Sequence, residues 1–182
     1  KPVRQGWFGC GCCPPNIARL LTSLGHYIYT PREEALYINL YVGNQVEIPV
    51  GEKTLRLRIS GDYPWREQVK IVIESPSTVN HTLALRLPDW CEGPHITLNG
   101  APVTQDIRQG YLHIHHLWQE GDTLMLTLPM PVRRVYGNPL VRHQAGQVAL
   151  QRGPLVYCLE QADNGEALHN LLLPRDARFT VF

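Results

Sequence analysis

Three of the five cysteines crowd into Cys10-Gly11-Cys12-Cys13, directly ahead of Pro14-Pro15-Asn16. A thiolate is both a nucleophile and a metal ligand. A helix N-terminus favours it, because unpaired N–H groups and the helix dipole welcome an anion. Proline is at home in the first turn of a helix, so the cysteines are expected just upstream of that turn. Pro14 biases Cys13 toward extended or turned backbone, a bend that would aim neighbouring sulfurs at one point. Zinc asks for four N, S or O ligands in a tetrahedron; this segment offers two or three and does not complete the set. The spacing is not that of a zinc finger, and free cysteines are commonly buried as small hydrophobes. From its residues alone the segment reads as a thiol or metal site, or as packing near a helix start.

Other residues with chemical potential carry plainer readings. His113, His115 and His116 form a possible metal cluster, since positions two apart share a strand face; with no Cys or carboxylate beside them in sequence, solvent-facing imidazoles are expected instead. Tyr63, Trp65 and Trp90 offer aromatic faces for stacking on a sugar, but their Pro-rich turns suit packing at sheet corners. Arg133, Arg134 and Arg142 read as surface or inter-domain charges, and Cys91 and Cys158 as buried, reduced thiols. His26 follows an expected C-cap at Gly25, where a positive charge is welcome.

The elements that must position these residues change character along the chain. Ile17, Leu20, Leu21 and Leu24 fall at i, i+3, i+4, i+7, one apolar face of a helix. From Leu36 onward the period is two: Leu55-Leu57-Ile59, Val69-Ile71-Ile73, Leu83-Leu85-Leu87 and Leu124-Leu126-Leu128 alternate with mostly more polar neighbours. These are half-buried strands. Asn99-Gly100 is the strongest hairpin signal, since both central positions of a type I′ turn want positive φ. Further strands are expected around Gln147 to Leu150 and Pro154 to Leu159.

The fold class is therefore mainly β, a β-sandwich of jelly-roll type preceded by one helix. The helix within residues 1–30 cannot bury its apolar face alone, and is expected either to pack on the sandwich or to be the last piece of a helical domain; 31–135 are expected to form the sandwich, and 136–182 to add strands, as a second small β domain or an annex. The 182 residues carry 17 basic against 16 acidic side chains, net +1. Phosphate binding needs a basic face, so nucleic acid is not expected as a partner. Nor is a membrane, as no apolar run approaches the roughly 20 residues that span one. The odd, clustered cysteines do not fit a secreted disulfide framework and point to a reducing compartment, the cytoplasm. The first residues, Lys1-Pro2-Val3-Arg4, show no initiator Met and no signal peptide, an absence that proves little for a chain that can begin inside a longer protein.

Cys10-Gly-Cys12-Cys13-Pro-Pro-Asn-Ile-Ala-Arg19 followed by Tyr37-Ile-Asn-Leu-Tyr-Val-Gly43 resembles the β-L-arabinofuranosidase family, glycoside hydrolase family 127. Further matches run in order: Asp62-Tyr-Pro-Trp65, Leu85-Arg-Leu-Pro-Asp-Trp90, Trp118-Gln-Glu-Gly-Asp122, Leu128-Pro-Met-Pro-Val-Arg133 and Gln151-Arg-Gly-Pro-Leu-Val-Tyr157. The resemblance implies an (α/α)6 barrel that carries the active site, followed by β-sandwich domains, with the helix here as the last piece of the barrel. It implies a retaining glycosidase with a zinc-bound cysteine nucleophile. Cys12 matches the nucleophile and a zinc ligand, Cys13 a second zinc ligand, and Cys10 a nearby cysteine that is not a ligand. The other ligands, the acid/base carboxylate and the sugar-binding residues would lie upstream, in a helical domain in cis. The expected substrate is an arabinofuranoside-type oligosaccharide or glycoconjugate. The alternative is a non-catalytic β-sandwich module, structural or carbohydrate-binding; a small metal or redox protein using the thiols alone is a third reading.

Overall fold

The computed structural model describes Gly9, residues 11–104 and residues 106–181. The first element, α1 (Cys13–Ile28), has Pro14 and Pro15 in its opening turn. Its first hydrogen bond runs from the Asn16 N–H to the Cys12 carbonyl, 3.3 Å. That bond draws both cysteines into the turn, so Cys13 is helical and Cys12 has φ −71°, ψ −40°. The extended backbone expected from the proline at position 14 is overridden, because the pre-proline clash disfavours the helical region without forbidding it.

The helix also passes straight through Gly25, and His26 sits in its last turn rather than beyond a cap. A glycine in a helix costs about 1 kcal/mol relative to Ala. Continuing to Ile28 buries that side chain against the sandwich, worth about 1.5–3 kcal/mol, and delivers Tyr29 in extended conformation to the next strand. Leu24 packs on the same core. The rest of the apolar face does not: Ile17, Leu20 and Leu21 are 60%, 52% and 65% exposed.

A five-stranded sheet has the order β1 (Tyr29–Pro31), β2 (Ala35–Ile38), β6 (Val79–Arg86), β10 (Tyr111–Trp118), β9 (Asp106–Arg108). A six-stranded sheet follows β3 (Asn44–Val50), β4 (Lys53–Ser60), β5 (Gln68–Ile73), β11 (Thr123–Thr127), β7 (His95–Leu98), β8 (Ala101–Pro102). Among the described residues every pairing is antiparallel except β2 with β6. The period-2 patterns fall on the inner faces as expected. Leu55, Leu57, Ile71, Ile73, Leu124 and Leu126 from one sheet meet Leu36, Ile38, Leu83, Leu85, Leu112 and Trp118 from the other in one core. The molecule is a β-sandwich entered through a helix.

The Asn99-Gly100 turn joins β7 to β8 with φ +51° and +84°, the type I′ requirement. Asn99 does more than turn the chain. Its Nδ2 donates to Asp122 Oδ1, 2.8 Å, and its Oδ1 accepts the Thr123 N–H, 2.9 Å. Asp122 Oδ2 accepts the Gln119 N–H, 2.9 Å, so one carboxylate ties the β7–β8 hairpin to the turn between β10 and β11.

A third sheet, β12 (Val132–Tyr136), β13 (Val148–Arg152) and β14 (Leu155–Tyr157), is antiparallel throughout. Arg152 holds it to the sandwich. That side chain is buried and donates to the Trp65 carbonyl, 3.0 Å, with Glu67 at 3.7 Å. Glu67 also accepts the Met130 N–H at 2.9 Å. Cys158, just past β14, is exposed rather than buried, because that sheet presents most of its last strand to solvent. Cys91 is half-buried, and burial pushes its thiol up from the usual range.

Candidate active site

The cysteine segment is built on the start of α1. Cys12 occupies the N-cap position and Cys13 the first helical position; among the described residues no side chain caps the helix, and no acidic residue lies in its first turn. Both side chains are exposed, and their sulfurs are 3.5 Å apart, far beyond the ~2.05 Å of a disulfide. Two thiolates sharing one tetrahedral zinc at about 2.3 Å stand roughly 3.7 Å apart. The pair therefore fits two corners of such a site with little adjustment. Among the described residues no group of three or more His, Cys, Asp or Glu could hold a metal, so the other corners would come from elsewhere. Cys10 lies outside the described residues.

The remaining candidates disperse. The histidines do not all face solvent as expected. His115 is exposed, with Nδ1 3.1 Å from Thr82 Oγ1. His113 is half-buried against Tyr37, edge to face at 5.8 Å. His116 has the inward parity of β10: it packs on Trp118, rings 4.9 Å apart, and its Nε2 is 3.5 Å from Asp122 Oδ2. Alternate parity along one strand sends His115 and His116 to opposite faces, so the three do not converge. Tyr63 and Trp90 pack against the core, whereas Trp65 is 67% exposed; they share no sugar-sized platform. Arg133 pairs with Glu92 at 2.9 Å. Arg134 donates to the carbonyls of Pro174 and Ala177 and lies 5.2 Å from the Phe179 ring centre, tethering the last segment. Arg142 is exposed.

Sequence reasoning missed the partners that these side chains find: His81, Asp122 and Asn99 at one corner, Arg152 and Glu67 at another. It also gave no role to Asn16 and Arg19, which stand within the cysteine motif and are hydrogen-bonded to each other.

With this geometry established, the comparisons with known proteins become decisive. Residues 35–130 match the family model described as the β-L-arabinofuranosidase, glycoside hydrolase family 127 middle domain, and residues 132–182 match the family 127 C-terminal domain. The chain belongs to glycoside hydrolase family 127. It is 38% identical over 178 residues to a non-reducing end β-L-arabinofuranosidase of Bifidobacterium longum subsp. longum. A family 127 β-L-arabinofuranosidase from Geobacillus stearothermophilus superimposes with TM-score 0.86 at 48% identity, over 98% of this chain. A second family 127 structure, a β-arabinofuranosidase, gives TM-score 0.79 at 34% identity, over 88% of the chain. The family 127 chain spans only about a quarter of these relatives, 26% of the first and 28% of each structure. Among the described residues no helix is long and apolar enough to cross a membrane.

Proposed function

We propose that this chain is the C-terminal part of a retaining, β-L-arabinofuranosidase-like glycoside hydrolase in which Cys12 is the nucleophile and Cys12 and Cys13 hold a zinc ion. The 3.5 Å separation of two exposed sulfurs at the head of a helix carries this reading. Zinc, when bound, would keep both sulfurs deprotonated near neutral pH. The Cys12 sulfur attacks the anomeric carbon, and a C–S bond forms as the bond to the leaving oxygen breaks. A carboxylic acid outside the described residues protonates that oxygen, then takes a proton from water. The resulting hydroxide equivalent attacks the same carbon, the C–S bond breaks, and the thiolate returns. Two displacements retain the anomeric configuration. The substrate is an arabinofuranoside-type oligosaccharide or glycoconjugate, and a reducing compartment such as the cytoplasm suits a working thiolate.

The exposed Ile17, Leu20 and Leu21 support a helical domain in cis that covers α1 and supplies the acid and the remaining ligands. The test is the full-length protein on an aryl β-L-arabinofuranoside. C12A abolishes turnover, C13A lowers bound zinc, and the 182-residue chain alone shows no turnover. Activity surviving in C12A would overturn the assignment.

A further inference from the structure

The helix α1 joins the sandwich without a linker: Ile28 is its last residue and Tyr29 opens β1. The junction is clamped from the side. The Asn39 N–H donates to the Ile28 carbonyl at 2.8 Å, and Asn39 Nδ2 donates to Thr30 Oγ1 at 3.0 Å. Ile28 and Leu24 pack into the sandwich core, so the direction in which α1 leaves is fixed. Packed helices lie about 8–10 Å apart. A domain built on the open face of α1, where Ile17, Leu20 and Leu21 are exposed, therefore abuts this end of the sandwich.

The strand registers show what else stands there. Tyr29 lies opposite Ile38, and Ile38 opposite Leu85. The Tyr29 hydroxyl donates to Asn44 Oδ1 at 2.6 Å, which brings in the second sheet. Tyr41 donates its hydroxyl to the Arg86 carbonyl at 2.6 Å, and its ring meets that of Tyr63 at 5.8 Å. The connection between β4 and β5 is thus at the helix end, and it carries Trp65, 67% exposed. Its backbone is nonetheless firmly held. The N–H groups of Trp65 and Arg66 donate to the Asp62 carbonyl at 2.7 and 2.9 Å, and the Leu128 N–H donates to the Glu67 carbonyl at 2.9 Å. Buried Arg152 holds the Trp65 carbonyl. At Gly61, φ +136°, a Cβ would come within 2.7 Å of the Gln68 carbonyl oxygen. A fixed loop that presents a bare indole has little ordering left to lose on docking, and tryptophan is enriched among the residues that dominate interfaces. Tyr27 and Val42, at the same end, are exposed too.

We propose that Trp65 is the anchor by which the sandwich docks on a helical domain of the same polypeptide. This rests on the reading that such a domain covers α1. The chain spans about a quarter of its relatives, which leaves ample length for that domain. The surface joins the open face of α1 to the sandwich end, so the domain is gripped at two places and not along the helix alone.

The test is hydroxyl-radical footprinting and amide hydrogen exchange on the full-length protein. Trp65 oxidises much more slowly there than in the same protein unfolded in urea, at any protein concentration. W65A speeds exchange along α1 roughly 10- to 100-fold, the range for removing an interface anchor, while β4, β5 and β11 exchange as in wild type. W65F keeps an aromatic face and restores most of the protection. Oxidation of Trp65 at the unfolded rate overturns the inference, as does W65A exchange along α1 within about twofold of wild type. Protection of Trp65 that disappears on dilution would make the occupant a second copy, and faster exchange confined to β12–β14 would make it a partner of the third sheet; either result also overturns it. Ile17, Leu20 and Leu21 are footprinted in the same experiment. If they are protected and Trp65 is not, only the present inference fails; if they too oxidise freely, the reading of a domain over α1 fails with it.

Discussion

At the scale of single residues, the inner face of β10 shows how one side chain serves both packing and polarity. Trp118 is fully buried, and its Nε1 donates to the His81 carbonyl at 2.9 Å. W118F would keep most of the ring and orphan that carbonyl, at about 1–3 kcal/mol, read as a lower urea midpoint with an unchanged slope. His81 is itself buried and faces His116 across the β6–β10 pair. Burial, and then the nearby His115, hold its imidazole below the usual histidine range. Folded His81 therefore binds a proton less readily than the unfolded chain does. Stability is fully retained above the ordinary histidine value of about 6.5 and is lost as pH falls below it, until the folded group also protonates. His81→Gln should flatten the fall in Tm between about pH 6.5 and 5; an identical slope in both proteins would remove His81 from the account.

At the scale of elements, α1 is amphipathic but anchored at one end only. Ile28 is buried, whereas Leu20 is half exposed. In the isolated chain I28A should cost about 2–5 kcal/mol and L20A less than about 0.5 kcal/mol, both measured by urea unfolding. The β7–β8 hairpin makes a second contrast. G100A forces a Cβ onto φ +84°, at roughly 1 kcal/mol. N99A removes both bonds that reach across to Asp122 and Thr123, and should cost more than the glycine change. Equal costs would mean that Asn99 contributes turn geometry alone.

For the whole molecule, the third sheet meets the sandwich through a buried arginine. R152A removes the hydrogen bond to the Trp65 carbonyl and the nearby charge from the partly exposed Glu67, and losing the partner of a largely buried acceptor costs about 1–3 kcal/mol. The expected readout is faster hydrogen exchange across β12–β14, while the sandwich strands β4, β5 and β11 keep their protection. Uniform loss of protection would show instead that the two parts unfold together.

How much of this was legible in the sequence follows from the range of each interaction. The alternating strands could be read because side-chain direction has a period of two along the backbone. The Asn99-Gly100 turn could be read because positive φ at two successive positions is a local demand. The cysteine segment could be singled out because thiol chemistry resides in the residues themselves, and the motif's resemblance named the family that the comparisons then showed. The inward turn of His116, the exposure of Cys158 and the persistence of α1 through Gly25 could not be read, since each is decided by what lies across the fold. Sequence alone thus determined the kind of elements, the turns and the reactive sulfurs, all set within a few residues. Only the tertiary structure decided that β2 lies parallel to β6, that Arg152 reaches Trp65, and that Asn16 turns its oxygen to Arg19. Those outcomes depend on which apolar faces bury one another and which donors find acceptors once the chain has closed upon itself.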